Sequence, residues 1–440
     1  MRAHILELLK RHGWNATSFQ ILEPEFRYWL DGDDACVAYV EAGRAWVVAG
    51  SPIAPEERIG EVAARFVEHA RRSRRRVAFF AVEQRFLRAI GLPAVAVGQQ
   101  PVWNGATSWS ERHRGHRSLR EQLRRARAKG VVVERADPRD AATRAGIQQL
   151  IERWLSTRKM PAMAFLVALH PFVFPDQRRY FVARQRDAIV GLLVAVPVYR
   201  RDGWFFEDIL RDPRAPNGTT EALVDFAMRE LGDGFATLGL VPLAGDANWM
   251  RWMRRASSHF YSFDGLRAFK AKFRPDAWDP IYLAYPEGRT AVGALYDVLV
   301  AFAQGRLVPF AFRAMLRSPQ PVAAALAALL VPWIATLAMT NERWFPSRRI
   351  RWMWVSFDTV LAAVLFTLAK EWRPQLARAA AVATAADAVL TTVQAARWNV
   401  PRAKRWTDGV IIAASLLAPV FATVLLWRGR NVCTVSQPRG

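Results

Sequence analysis

The sequence predicts a mixed α/β body followed by a C-terminal bundle of membrane-length helices, and three observations predict it. Strand-like and helix-like segments alternate from the N-terminus to about residue 300, the pattern of a mixed sheet carrying helices. Beyond residue 320, four mostly apolar stretches follow one another, each about the twenty residues a helix needs to cross a bilayer. Between them, residues 204–231, WFFEDILRDPRAPNGTTEALVDFAMREL, join a strand to a helix through a loop of Pro, Asn and Gly.

The chain opens with MRAHILELLKRHGWN, which lacks the uninterrupted apolar core of a signal peptide. Ile5, Leu6, Leu8 and Leu9 among charges predict an amphipathic helix instead. Residues 26–50 alternate about a turn at Glu41 to Arg44, predicting a β-hairpin. A turn over 51–55 leads to a helix over 59–73, with Val62, Phe66 and Ala70 on one stripe. A basic run at 71–76 precedes a buried strand over 77–82.

Residues 111–130, ERHRGHRSLREQLRRARAKG, form the densest basic segment. Leu119, Leu123 and Ala126 make a narrow apolar stripe on a helix that Gly130 ends. Arg112, Arg114, Arg117, Arg120, Arg124, Arg125, Arg127 and Lys129 face only Glu111 and Glu121. Pairing within the helix cannot neutralise it, so Arg117, Arg120, Arg124, Arg125 and Lys129 are candidate polyanion-binding residues. His113 and His116 lack the Cys or acidic partners of a zinc site, so no metal is expected there.

A strand over 131–135, a helix over 141–157 with Ile147, Leu150, Ile151 and Trp154 inward, and an antiparallel pair over 180–183 and 189–199 come next. The pair turns at Arg186-Asp187. Residues 204–210 then read as a strand and 211–218 as a loop, with Asn217 or Thr219 capping a helix that has Glu221 in its first turn. Leu223, Phe226, Ala227 and Leu231 form that helix's buried stripe. A strand feeding a helix N-terminus aims backbone N–H groups and the positive end of the dipole at the loop. Asp208 and Arg211 leave the strand there, so they are the candidate catalytic pair, with Asn217, Gly218 and Thr219 as binding residues. A strand over 236–243, a short helix over 247–256, and a segment over 265–285 complete the body. In the last, Lys270 and Lys272 alternate with Phe269 and Phe273, as surface lysines or as the lining of a phosphate-binding groove.

The apolar stretches cover 322–340, 352–369, 376–396 and 409–427. The third is rich in Ala and Thr, and three spans is the alternative count. Trp residues cluster near their ends, as an aromatic belt does. Asp358 and Asp387 fall inside spans, where an acid is costly and a pairing or functional role is the default. Each opens a similar phrase, DTVL and DAVL. Basic residues flank both ends of the spans, so the positive-inside rule gives no clean orientation and slightly opposes a cytoplasmic body. The body is placed in the cytoplasm because no export signal precedes it. The expected division is therefore 1–135, 136–300, a linker over 301–320, a membrane domain over 321–428 and a tail over 429–440.

With 440 residues, a net charge of +23 and a pI near 11.1, the chain calls for a polyanionic partner, nucleic acid or an anionic membrane surface. Two distant cysteines, Cys36 and Cys433, exclude a disulfide framework and fit a reducing compartment.

Three phrases in order carry a resemblance: HRSLR at 116–120 running to Lys129-Gly130; FEDILR at 206–211 with APNGT at 215–219; and GLRAFKAKF at 265–273 leading to Trp278 and Tyr282-Leu283. Gly50-Ser-Pro-Ile53 adds an early turn. With them the soluble part resembles the C-terminal catalytic region of phosphatidylglycerol lysyltransferases, the multiple peptide resistance factor family, over most of residues 30–290. The resemblance implies tandem acetyltransferase-like folds. It implies transfer of an aminoacyl group from aminoacyl-tRNA to the hydroxyl of phosphatidylglycerol or a related lipid, at an inner membrane. It places Asp208 and Arg211 on the family's functional acid–arginine pair, and Lys270 or Lys272 on a basic motif that holds lipid phosphate. In the family the membrane portion usually precedes the catalytic one and is larger; here it follows, which argues against lipid flipping. One glycine, Gly218, in the loop falls short of a coenzyme A pyrophosphate loop, so no cofactor is expected. The competing readings are an acyl-coenzyme A-dependent N-acyltransferase acting on a small amine, and a non-catalytic membrane protein with a degenerate transferase fold.

Overall fold

The computed structural model describes residues 1–105, 109, 111, 117–158, 161, 163–232, 234–245, 250–251, 263–317, 319–341 and 344–433. The expected N-terminal helix is α1 (Arg2–His12), and Ile5, Leu6, Leu8 and Leu9 are all buried in the core. The hairpin forms, with one more strand beside it. β1 (Arg27–Leu30), β2 (Cys36–Ala42) and β3 (Ala45–Ala49) pair antiparallel in chain order. All of β3 is buried, so it is covered on both faces instead of alternating.

α2 (Ile59–Arg72) buries Val62, Phe66 and Ala70, and β4 (Arg76–Val82) runs parallel to β3. Two unexpected elements follow, α3 (Gln84–Ile90) and β5 (Ala94–Trp103). The sequence of β5, AVAVGQQPVW, hid it, because Gly and Pro within a run argue against a strand.

α4 (Arg117–Ala128) buries Leu119, Leu123 and Ala126 as its stripe requires, and Gly130 follows at φ +77. Arg112, His113, Arg114 and His116 lie outside the described residues. Next come β6 (Val132–Ala136) and α5 (Ala141–Ser156), whose cap Asp140 accepts from the Thr143 amide at 2.8 Å. β7 (Arg179–Gln185) and β8 (Ala188–Val198) form the expected hairpin. Arg186 and Asp187 both take positive φ, as a two-residue turn matched to strand twist demands. β9 (Gly203–Arg211) and α6 (Thr219–Leu231) complete the strand–loop–helix.

The strand expected over 236–243 is broken into β10 (Phe235–Thr237) and β11 (Val241–Pro242). The carbonyls of Leu238, Gly239 and Leu240 between them turn to the Lys270 ammonium instead of to a neighbouring strand. The helix expected over 247–256 falls largely outside the described residues. α7 (Phe263–Ala271), β12 (Ala277–Ala284) and α8 (Ala291–Phe302) follow.

The described strands form one sheet in the order β1-β2-β3-β4-β12-β5-β10-β9-β8-β7-β6, with β11 also on β5. β3–β4 and β9–β10 are parallel and the other pairs antiparallel. β12 is late in the chain yet sits between β4 and β5, so the expected halves 1–135 and 136–300 share strands as well as a sheet. Residues 1–158 and 162–307 form one compact unit. Within it, buried Asp297 on α8 accepts from Arg76 and Arg289, each at 2.6 Å.

Residues 159–161 and 308–440 form the second unit. The expected linker is helical over α9 (Leu307–Arg317). α10 (Pro319–Met339), α11 (Arg348–Lys370), α12 (Pro374–Gln394) and α13 (Trp406–Cys433) match the four expected spans. All four are long and apolar enough to cross a membrane. The third continues past α12 through a π turn as far as Arg402.

Candidate functional site

A bulge on β9 sets the site. Val194 of β8 lies opposite Asp208 and Ala195 opposite Phe206, which leaves Glu207 as the extra residue. Phe206 packs into the core beneath α6, while Leu210 packs against α5 on the other face. Glu207, Ile209 and Arg211 line a groove of about 460 Å³, together with Thr220 and Glu221 of α6, Leu238, and Leu266, Phe269 and Lys270 of α7.

The expected convergence of Asp208 and Arg211 does not occur in this form. Side chains three apart on a strand point to opposite faces. Arg211 lines the groove, and its Nη1 donates to Asn217 Oδ1 at 3.2 Å. Asp208 is 6% exposed and stands behind the groove on the Leu210 side. Its neighbour Glu207 borders the groove, but the Glu207 side chain is only 3% exposed and its carboxylate is taken up by the buried Arg178.

Behind the strand, Glu207 ion-pairs with the buried Arg178, whose Nε donates to the Val173 carbonyl at 2.7 Å. Glu23, 1% exposed, completes the group. Among the described residues, both Glu23 carboxylate oxygens, Glu207 Oε1 and Arg178 Nη2 have no hydrogen-bond partner. Three acids therefore share one guanidinium. Burial, and then the Glu207 charge, push both Asp208 and Glu23 above the ordinary carboxylate range, with Arg178 opposing. Burial thus disfavours the charged form of both acids behind the groove wall. Glu23, Glu25 and His170 also bring ligand atoms within 4.8 Å of one another, although His170 Nε2 and Glu25 already bond at 2.6 Å.

The α6 N-terminus faces the same groove. Its cap is Gly218, not Asn217 or Thr219: Gly218 has φ +95, and no side chain caps the helix. The Thr219 hydroxyl donates back to the Pro216 carbonyl at 2.7 Å. A Cβ on Gly218 would stand 2.3 Å from the Gln122 carbonyl oxygen, so glycine lets α4 and α6 approach.

Lys270 is buried, and its ammonium donates to the carbonyls of Leu238, Gly239 and Leu240 at 2.6, 2.9 and 3.1 Å. Burial pulls its pKa down to about 7, while three carbonyl acceptors favour the charged form. Lys272 donates to Glu221 at 2.9 Å and lies over the Phe269 ring. On α4, Arg117, Arg120, Arg124, Arg125 and Lys129 are all exposed, and Glu121 pairs with both Arg124 and Arg125. Sequence reasoning missed Glu207, Arg178 and Glu23. Adjacent acids in FED were visible, but alternation alone does not reveal a bulge, and nothing ties Glu23 or Arg178 to them.

The site therefore lies in a mixed-sheet α/β fold, in a groove where a strand end meets a helix N-terminus. A family model described as "Phosphatidylglycerol lysyltransferase, C-terminal" matches residues 6–285, and the chain belongs to that family. It is 25% identical over 301 residues to the phosphatidylglycerol lysyltransferase of Bacillus subtilis, covering 64% of this chain and 35% of that protein. It is 28% identical over 222 residues to the lysylphosphatidylglycerol biosynthesis bifunctional protein LysX of Mycobacterium marinum, covering 45% and 19%. The chain thus spans about a third of the length of the first of these relatives. The structure of L-PGS from Bacillus licheniformis superposes with a TM-score of 0.58 at 23% identity, covering 69% of this chain and 96% of that one, which establishes the shared fold.

Proposed function

We propose that the chain transfers an aminoacyl group from aminoacyl-tRNA to the hydroxyl of phosphatidylglycerol or a related lipid. The observation that carries this is the Arg211-lined groove at the α6 N-terminus, on a chain of this family.

One ester replaces another, so positioning and charge stabilisation supply the catalysis. The acceptor oxygen attacks the aminoacyl carbonyl, the bond to the tRNA ribose breaks, and the acceptor's proton ends on the ribose oxygen. Arg211 and the α6 N-terminus around Asn217, Gly218 and Thr219 bind lipid phosphate or the developing oxyanion. Asp208, buried behind the groove wall, sets the charge and position of the Glu207–Arg178 pair that backs the groove. Lys270 shapes the groove wall and Lys272 contributes charge at its rim. The exposed basic face of α4 binds the tRNA backbone. The four apolar helices anchor the protein in the inner membrane, with the body on the cytoplasmic side where charged tRNA is found.

The test is lipid mass spectrometry of cells expressing wild type, Arg211→Ala or Asp208→Asn. Wild type is expected to add one aminoacyl mass to an anionic lipid, and each variant to lower it at least a hundredfold, the scale of losing a transition-state donor. Unchanged product in both variants refutes the assignment. Heat protection by coenzyme A with no response to tRNA would favour the acyltransferase reading.

A further inference from the structure

The second unit contains a cavity of about 480 Å³ enclosed by α10, α11, α12 and α13. Its walls are largely Leu, Ala, Ile and Trp. Asp358 of α11 and Asp387 of α12, the acids of the two DxVL phrases, both line it, as does Asp408 of α13, whose carboxylate accepts from the Lys404 and Arg405 amides. Asp358 is 6% exposed. Asp387 Oδ1 accepts from Thr391 at 2.9 Å.

No Lys or Arg is among the described residues that line the cavity, and neither acid has a salt bridge among the described residues. Two carboxylates in a low-dielectric chamber are costly without a counter-cation. The chamber is within the size range of small-molecule sites, and such sites form between the helices of bundles. It is apolar along most of its wall and carries Asp358 and Asp387 in that wall. That complementarity suits an amphiphile whose ammonium head pairs with the acids and whose hydrocarbon lies along the Leu and Ala walls. We propose that this cavity is a binding site for a primary-ammonium amphiphile. The inference does not depend on the transfer reading, because every lining residue belongs to the second unit.

The test uses the full-length chain in dodecyl maltoside, titrated below micellar concentration with dodecylammonium, dodecyl sulfate or dodecanol, and followed by thermal shift. Dodecylammonium is expected to raise the melting temperature saturably, and the other two are not. Asp387→Asn, and the pair Asp358→Asn with Asp387→Asn, should weaken the response about tenfold or more, the size of removing a charge-assisted hydrogen bond. The wild-type comparison stands even where a variant fails to fold. Equal shifts from dodecylammonium and dodecanol, or full response in the variants, would overturn the site. Native mass spectrometry of protein taken from its own membrane separates the sources. Retained amino-headed phospholipid identifies a lipid ligand. Dodecylammonium binding with no such lipid identifies a free cationic amphiphile. Absence of both overturns the proposal.

Discussion

The Lys270 ammonium lies 2.6 Å from the carbonyl oxygen of Leu238, and the next two carbonyls complete its set of three acceptors. One side chain from α7 therefore holds open the gap between β10 and β11 and fixes one wall of the groove. Lys270→Met keeps the length but leaves three carbonyls unpaired. It is expected to cost about 3 kcal/mol, on the scale of unsatisfied buried polar groups. Urea unfolding of the full chain checks it, and activity should fall with the loss of the wall.

Gly218 stands under a different constraint. Its φ of +95 and the 2.3 Å approach to Gln122 both reject a side chain. Gly218→Ala should destabilise the body by about 2 kcal/mol through strain and displacement of α4. A drop in thermal midpoint measures it. Gly130→Ala is the control: it also carries positive φ, but a Cβ there would meet nothing within 4 Å, so its cost should be smaller.

The buried acids give the protein a pH dependence. Asp208 has its folded pKa raised, first by burial and then by Glu207. It therefore contributes stability that is fully present below the ordinary carboxylate range and is lost as pH rises toward its raised folded value. Asp208→Asn removes that titration. The variant is expected to gain on wild type as pH rises above the ordinary carboxylate range, while losing transfer activity. Parallel denaturation series across pH decide the matter, and a difference of the opposite sign would contradict it.

The basic face of α4 should act through charge alone. Replacing Arg117, Arg120, Arg124, Arg125 and Lys129 by Gln touches exposed positions, and each change should alter stability by roughly 0.5 kcal/mol or less. Binding to tRNA should weaken, and the slope of log affinity against log salt should fall by about 0.7 to 0.9 for each phosphate left unneutralised. Filter binding across a salt series reads both.

The sequence by itself determined most elements and the two-part plan. Buried stripes such as Val62, Phe66 and Ala70, or Leu119, Leu123 and Ala126, repeat at helical spacing, and membrane-length apolar runs need no partner to be recognised. These are local signals, set by residues a turn or a bilayer apart. Arg211 at the mouth of the α6 loop was legible for the same reason. Tertiary structure alone decided the rest. The placement of β12 between β4 and β5, the bulge that leaves Glu207 without a partner on β8, and the gathering of Glu23, Arg178 and Glu207 about Asp208 join residues distant in the chain. Register and long-range burial depend on which strand finds which neighbour. A bulge of one residue changes which side chains share a face without leaving a mark in the local composition.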